Sequence, residues 1–357
     1  MKKYLTLILA FCVIAALTAL CMTACDLAAP ADTTAEDTPA PTEEPTEAPT
    51  EETTEEPTEA PTEEPTEEVT TMEETTAAVT TEEVTTEEVT TATPQGGEDH
   101  GVDRDGTPKK YITIRMDDGI TQDEKMMEIM RKYGVDCCTF YVNTGLLGAN
   151  WQWVGQHFNR PDVTHIRYPR KRLESGIYDG FDVECHTLNH PSLKNLTERE
   201  VTNEVKRDAI NIEKIFGYEP VGLAWPGGDT EWNEGNIVTI LETTDIRYGS
   251  CTTRNTQMGL GKFSLPQYFM TWYPTCGFSD ADSLTLLNEF IKADCTEDML
   301  FYVWGHGYEL DIFNTWDKFE TMIKTIAEAA EADDSVVLVT NAEFYQLFKD
   351  EIPAWKE

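Results

Sequence analysis

The chain has 357 residues, with 66 acidic against 27 basic side chains and a formal net charge of −39. That balance argues against nucleic acid as a partner, because phosphate backbones are bound through clustered Lys and Arg. The six cysteines of the later chain, Cys137, Cys138, Cys185, Cys251, Cys276 and Cys295, are scattered with no Cys-x-x-Cys pair. Buried free thiols are the expectation, with one or two disulfides left open, since some 250 residues bury a core without staples.

The first 25 residues read as a secretory signal: Lys2 and Lys3, then an apolar run from Tyr4 to Leu20. Thr23 and Ala24 precede Cys25, the pattern of a bacterial lipoprotein, in which Cys25 would carry lipid and anchor the protein to the membrane. Ordinary cleavage and an uncleaved anchor are the alternatives. Each puts the remainder outside the cytoplasm. Residues 26–104 form an acidic Thr/Glu/Pro-rich tract, with 24 acids between Asp26 and His100 and no Lys or Arg from Tyr4 to Asp103. Such a tract cannot bury enough apolar surface to offset its chain entropy, so a disordered linker is expected. Roughly seventy extended residues would reach about 230 Å at ~3.3 Å each, long enough to hold a domain out in a cell wall. The dense threonines would suit O-glycans.

From residue 105 to the end, strands and helices alternate. "YITIRM" at Tyr111–Met116 predicts a strand, and "DEKMMEIMRKY" a helix closed by Gly134. "CCTFYV" and "FDVEC" read as the second and third strands. Thr197 and Glu200 form a capping box ahead of a helical stripe of Val201, Val205, Ile212 and Ile215, ended by Gly217. "VGLAW", a helix near Asn236–Thr243, "DIRYG", the helix "SLTLLNEFIKA", the strand "MLFYVW", the helix "WDKFETMIKTIAEAAE" and "SVVLV" follow, before a closing helix. About seven strand–helix repeats imply a parallel sheet, either a closed (β/α) barrel or a doubly wound open sheet. No Gly-x-Gly-x-x-Gly follows the first strand, which speaks against a dinucleotide site.

The polar residues of interest sit where strands end. Asp117 and Asp118 follow the first strand, His186 and His190 the third, "WPGG" at Trp225–Gly228 the fourth, and His306 the sixth. In a parallel barrel these positions share one face, the face that carries active sites. A His-x-x-x-His pair is often incidental. Beside a carboxylate at one rim it makes a three-ligand set with open positions, suited to zinc ahead of other divalent ions. Each site residue has a plainer alternative. Asp117 could cap a helix, and His306 between two glycines could shape a turn. Trp151, Trp153, Trp225, Trp232 and Trp272 could stack on sugars or simply pack. His100, His157 and His165 lie in no motif and are expected to be solvated.

At "MDDGITQDEKMMEIMRKYGV", "HTLNHPSL", "AWPGG" and "FYVWGHGYE" the sequence resembles the polysaccharide deacetylases, the NodB-homology group also called carbohydrate esterase family 4. The resemblance covers roughly residues 110–348. It implies a distorted (β/α) barrel of about seven parallel strands and a hydrolase that removes acetyl groups, N-acetyl foremost, from an extracellular polysaccharide. It further implies that Asp118, His186 and His190 bind the metal, that Asp117 is the base and that His306 is the acid. Gly227, after Pro226 and Trp225, would hold the oxyanion and substrate, and Thr187 would support the shape of the site. Many family members carry Arg where this chain has Ala224; Arg115, Arg247 and Arg254 are the candidate substitutes. The usual Asp and Trp after the fifth strand are not recognisable in "IRYGSCTTRNTQ", leaving Glu309 as the candidate to orient His306. A tethered carbohydrate-binding or structural protein that has lost turnover is the alternative function.

Overall fold

The computed structural model describes residues 104–356. The expected signal, the lipidation site Cys25 and the linker up to residue 103 lie outside them. No helix among the described residues is long and apolar enough to cross a membrane.

The sheet is built around β1 (Lys110–Asp118), all nine residues of which are buried. One edge of β1 pairs along most of its length with β7 (Met299–Gly305). The other edge is shared. β8 (Val336–Leu338) pairs with Lys110–Ile112, and β2 (Cys138–Val142) pairs with Ile114–Asp118. Beyond β2 come β3 (Asp182–Cys185), β4 (Gly222–Ala224) and β5 (Tyr248–Ser250), and beyond β7 comes β6 (Cys276–Gly277). All pairings between these strands are parallel. The order β5-β4-β3-β2-β1-β7-β6 curls into a half-barrel without a β5–β6 ladder; a single bridge, Ser250 to Trp272, extends the β5 edge. The architecture is the distorted (β/α) barrel expected from the sequence, with β6 the one strand the sequence pattern did not mark.

Period-two alternation divides β1 between two cores. Ile112, Ile114 and Met116 pack outward with Met126, Met130, Phe140 and Ile323. Tyr111 points inward among Tyr141, Tyr248, Trp272 and Tyr302. The covering helices form where their signals predict. α1 (Asp123–Tyr133) has acids in its first turn and bases in its last, and Gly134 closes it at φ 70°. Between β2 and β3 lies a long insertion with two short helices, α2 (Trp153–His157) and α3 (Arg170–Leu173). It is tied down by antiparallel bridges between Asn150 and Ile166 and between Ile120 and Arg167. α4 (Glu198–Phe216) carries the Thr197–Glu200 capping box. α5 (Glu234–Thr243), α6 (Ser283–Lys292), α7 (Gly307–Ile312), α8 (Trp316–Ala332) and α9 (Asn341–Phe348) complete the layer. All six later cysteines are free thiols, five of them buried.

Candidate active site

Because every strand runs the same way, their C-terminal ends open onto one rim. A cavity of about 540 Å³ lies there, lined by Asp117, Asp118, His186, His190, Gly227 and His306 together with Trp151, Trp153, His165, Trp225, Gly228, Thr252, Thr253, Trp304 and Tyr308. The sequence-predicted carboxylates and histidines are thus brought together.

The last residue of β1 breaks the strand's alternation. Asp118 has φ 82°, a left-handed conformation that turns its carboxylate toward the rim beside that of Asp117. Gly119 follows at φ 65°, and a Cβ there would lie 2.9 Å from Val142 Cγ2, so no larger residue fits this turn. His186 and His190 are on a loop, not a helix. Their rings nevertheless meet at 4.8 Å between centroids, because Thr187 (φ 64°) and His190 (φ 55°) fold the backbone back on itself. The loop is pinned to α4, where the Glu204 carbonyl accepts from the Leu188 N–H and the Glu204 side chain accepts from the Asn189 N–H.

Ligand atoms of Asp118, His186 and His190 lie within 4.8 Å of one another. Asp118 Oδ1 stands 3.7 Å from His186 Nε2 and 3.9 Å from His190 Nε2. Donors around a tetrahedral zinc stand roughly 3.4 Å apart, so a small closure would seat the ion. The polar chemistry also fits. His186 Nδ1 lies 2.9 Å from the Ala224 carbonyl oxygen, a contact that assigns the proton to Nδ1. The lone pair of Nε2 then faces the triad, buried and with no protein partner. Burial pulls the His186 imidazole down to about 4 and lowers His190 as well, so both rings are neutral donors. Asp118 is held well below the usual carboxylate range. Burial works against its charge, and the hydrogen bond from His165 and the charge of Arg167 outweigh it.

Asp117 lies two residues after Arg115 on the same face of β1, and the guanidinium forks its carboxylate. Arg115 Nε donates to Oδ1 at 2.7 Å and an Nη to Oδ2 at 2.5 Å. The other Nη donates to the Cys251 carbonyl at 2.6 Å. Of the three candidate substitutes for the missing arginine, Arg115 is therefore the one at the site. Arg254 pairs with Asp280 and Asp282, and Arg247 bonds the carbonyls of Thr244 and Ile246. Burial raises the Asp117 carboxyl, but Arg115 foremost, with His186 and His306, outweighs it and holds the carboxyl below the ordinary range.

At the opposite side of the triad, His306 Nε2 is 3.9 Å from Asp118 Oδ2. Its Nδ1 pairs with Glu309 Oε1 at 2.8 Å, one turn along α7, so the orienting carboxylate is Glu309. Burial disfavours the imidazolium, yet the hydrogen bond and charge of Glu309 prevail and raise His306 to about 9. Glu309 is itself held by the Ser279 hydroxyl.

His165 departs from expectation. Rather than being solvated it is 1% exposed, with Nε2 2.9 Å from Asp118 Oδ2. Arg167, equally buried, places an Nη 2.7 Å from Asp118 Oδ1. The sequence did hold a signal. "THIRYP" alternates charged with apolar residues, which sets His165 and Arg167 on one side of an extended segment. Among the tryptophans, Trp272 belongs to the inner core, and Trp225 packs against Trp232 while donating to the Met270 carbonyl. Trp153, 43% exposed, and Trp151 overhang the cavity. Gly227 (φ 72°) is in the wall, and Pro226 is buried behind it.

Residues 104–249 match the family model for polysaccharide deacetylases. No curated protein matches the chain. Among solved structures it is similar to the Streptococcus pyogenes deacetylase PplD in complex with acetate, at 18% identity over 40% of this chain and 56% of that one, with TM-score 0.31. It is also similar to a polysaccharide deacetylase from Bacillus cereus, at 17% identity over 40% of each chain and TM-score 0.30. A family 4 carbohydrate esterase from Streptomyces lividans in complex with acetate matches at 12% identity over 64% of this chain and 92% of that one, with TM-score 0.38. The chain thus spans about half the length of the first two. The family-model match falls on the segment that carries Asp117, Asp118, His186 and His190, so that segment of the chain is similar to the polysaccharide deacetylases.

Proposed function

We propose that the chain is a metal-dependent hydrolase that removes acetyl groups, N-acetyl first, from a carbohydrate polymer outside the cell, to whose membrane Cys25 would anchor it. One observation carries the reading: an Asp-His-His donor set, a carboxylate paired with Arg115 and an imidazole paired with Glu309 all face one cavity. Asp118, His186 and His190 would hold the ion, and their mixed N/O character favours zinc. When bound, such an ion acts as a Lewis acid and makes a bound water more acidic.

The chain's own groups divide the remaining work. Asp117, kept ionised by Arg115, takes a proton from the attacking water. The Gly227 N–H is the candidate donor to the carbonyl oxygen as it gains charge. His306, held by Glu309, gives its proton to the nitrogen as the C–N bond breaks, so the amine leaves neutral and acetate remains. Trp151, Trp153, Trp304 and Tyr308 at the mouth suit the apolar faces of sugar rings.

Acetate release from a panel of acetylated glycans, with and without a chelator, tests the proposal. Chelator-sensitive release is expected. No release from any glycan after reloading with zinc, cobalt or manganese would leave the tethered binding protein as the reading. Ala224 in place of the usual arginine favours that alternative, and the Arg115 fork on Asp117 weakens it.

A further inference from the structure

Five non-glycine residues among those described adopt positive φ, and three of them are Asp118, Thr187 and His190. Such conformations are strained for residues that carry a Cβ and persist where the surroundings over-determine them. At Asp118 and Thr187 the determining contacts form one connected path. Asn143, fully buried just past β2, turns its amide nitrogen to the carbonyls of His186 and of Thr187, the latter at 2.9 Å. Its Oδ1 accepts from Arg167 at 3.1 and 3.3 Å. Arg167 donates in turn to Asp118 Oδ1. That oxygen is the one facing both imidazole Nε2 atoms. Trp151 covers the guanidinium, 4.1 Å from its ring centroid.

We infer that Arg167 and Asn143 are positioning residues, a clamp that holds the Asp118 carboxylate and the His186 loop in register and so sets the metal affinity of the triad. The inference rests on the metal reading above. β2 lies between β1 and β3, so no backbone hydrogen bond joins the two ligand-bearing strands directly. The side-chain bridge supplies that link across the end of β2. Arg167 occupies one lone pair of Oδ1 and stops the carboxylate from rotating, while the other lone pair stays directed at the histidines.

Cobalt(II) titration of the full chain tests this, because it reads affinity and coordination spectrum without turnover. Asn143→Ala removes the link with no change of charge. Arg167→Lys keeps the charge but loses the fork, and it serves where the first variant folds poorly. Each is expected to weaken cobalt binding about 10–100-fold, the usual effect of losing a ligand's hydrogen-bond partner, and to alter the visible spectrum. Metal-free melting should show both variants folded. Folded variants that bind cobalt within twofold of the parent, with the parent's spectrum, would overturn the clamp. A parent that binds no cobalt would overturn the metal reading of the triad itself.

Discussion

Arg115 and Asp117 offer the sharpest test of how the site keeps a charged base away from water. The guanidinium is 0% exposed and the carboxylate 2%. Replacing Arg115 with Met leaves the volume and removes the cation. Two unit charges about 4 Å apart at an effective dielectric near 20 attract by about 4 kcal/mol, equivalent to roughly 3 pKa units. Arginine neighbours commonly lower an Asp by about 1–3 units, so a rise of that size is expected in the variant. The sign follows from linkage. Pairing holds the folded pKa of Asp117 below its unfolded value. Its contribution to stability is therefore complete above the unfolded pKa and lost as pH falls through the folded one. In Arg115→Met that contribution is missing at neutral pH. Breaking a buried pair costs about 3–5 kcal/mol, reduced if the carboxyl takes up a proton.

The assay is the pH profile of kcat/KM, with metal content and urea unfolding measured in parallel. The acid limb should move up by about 1–3 pH units. Bound metal should stay, because the hydrogen bonds of Arg115 go to Asp117 and the Cys251 carbonyl rather than to the triad. Arg115→Lys should fall between the two, since an ammonium cannot fork a carboxylate. An acid limb unmoved in Arg115→Met, in a folded and metal-loaded variant, would refute the claim that Arg115 sets the ionisation of the base.

His186→Ala and His190→Ala should each lose bound metal, read by elemental analysis; full occupancy in both would remove the triad from consideration. His306→Ala should slow N-acetyl substrates by roughly 10²–10⁴-fold and an activated aryl acetate far less, because a good leaving group departs unprotonated. Equal losses on the two substrates would assign His306 a structural role. Burial raises the Asp123 carboxyl to about 8, with Tyr178 and the Ile120 N–H hydrogen-bonded to it. The folded state therefore keeps a proton that the unfolded chain loses, and stability falls as pH rises between about 4 and 8 by up to ~1.4 kcal/mol per unit. Asp123→Asn should flatten that slope in urea unfolding at pH 5, 6.5 and 8, and a parent whose stability is level across the range would contradict it.

Elements with long periods were legible because local chemistry specifies them. α1 occupies the span its apolar spacing and Gly134 predict, and α4 begins at its capping box. β6 escaped notice because two residues carry no period. The helices of the β2–β3 insertion span five and four residues, too few for an amphipathic stripe to show. At the site, motif residues announced themselves by standing at strand ends. His165 and Arg167 did not, because what makes them part of the site is contact with Asp118 across 47 and 49 residues of chain. The alternation in "THIRYP" sets the two side chains on one side of the segment, but it does not say that a partner that distant waits there.

Ala224 and Arg115 show the same limit from the other side. A carboxylate excluded from water cannot stay ionised without a cation within hydrogen-bond reach. That requirement fixes a point in space and leaves open which strand supplies the charge. At the end of β4, where the resemblance implies an arginine in many relatives, Ala224 stands buried with its carbonyl turned to His186. β1 reaches it from two residues before the base, because alternation sets Arg115 and Asp117 on one face. The small side chain at 224 and the long one at 115 are therefore best understood as one feature. If so, Arg115→Met combined with Ala224→Arg should bring the acid limb back toward the parent, which neither change alone would do.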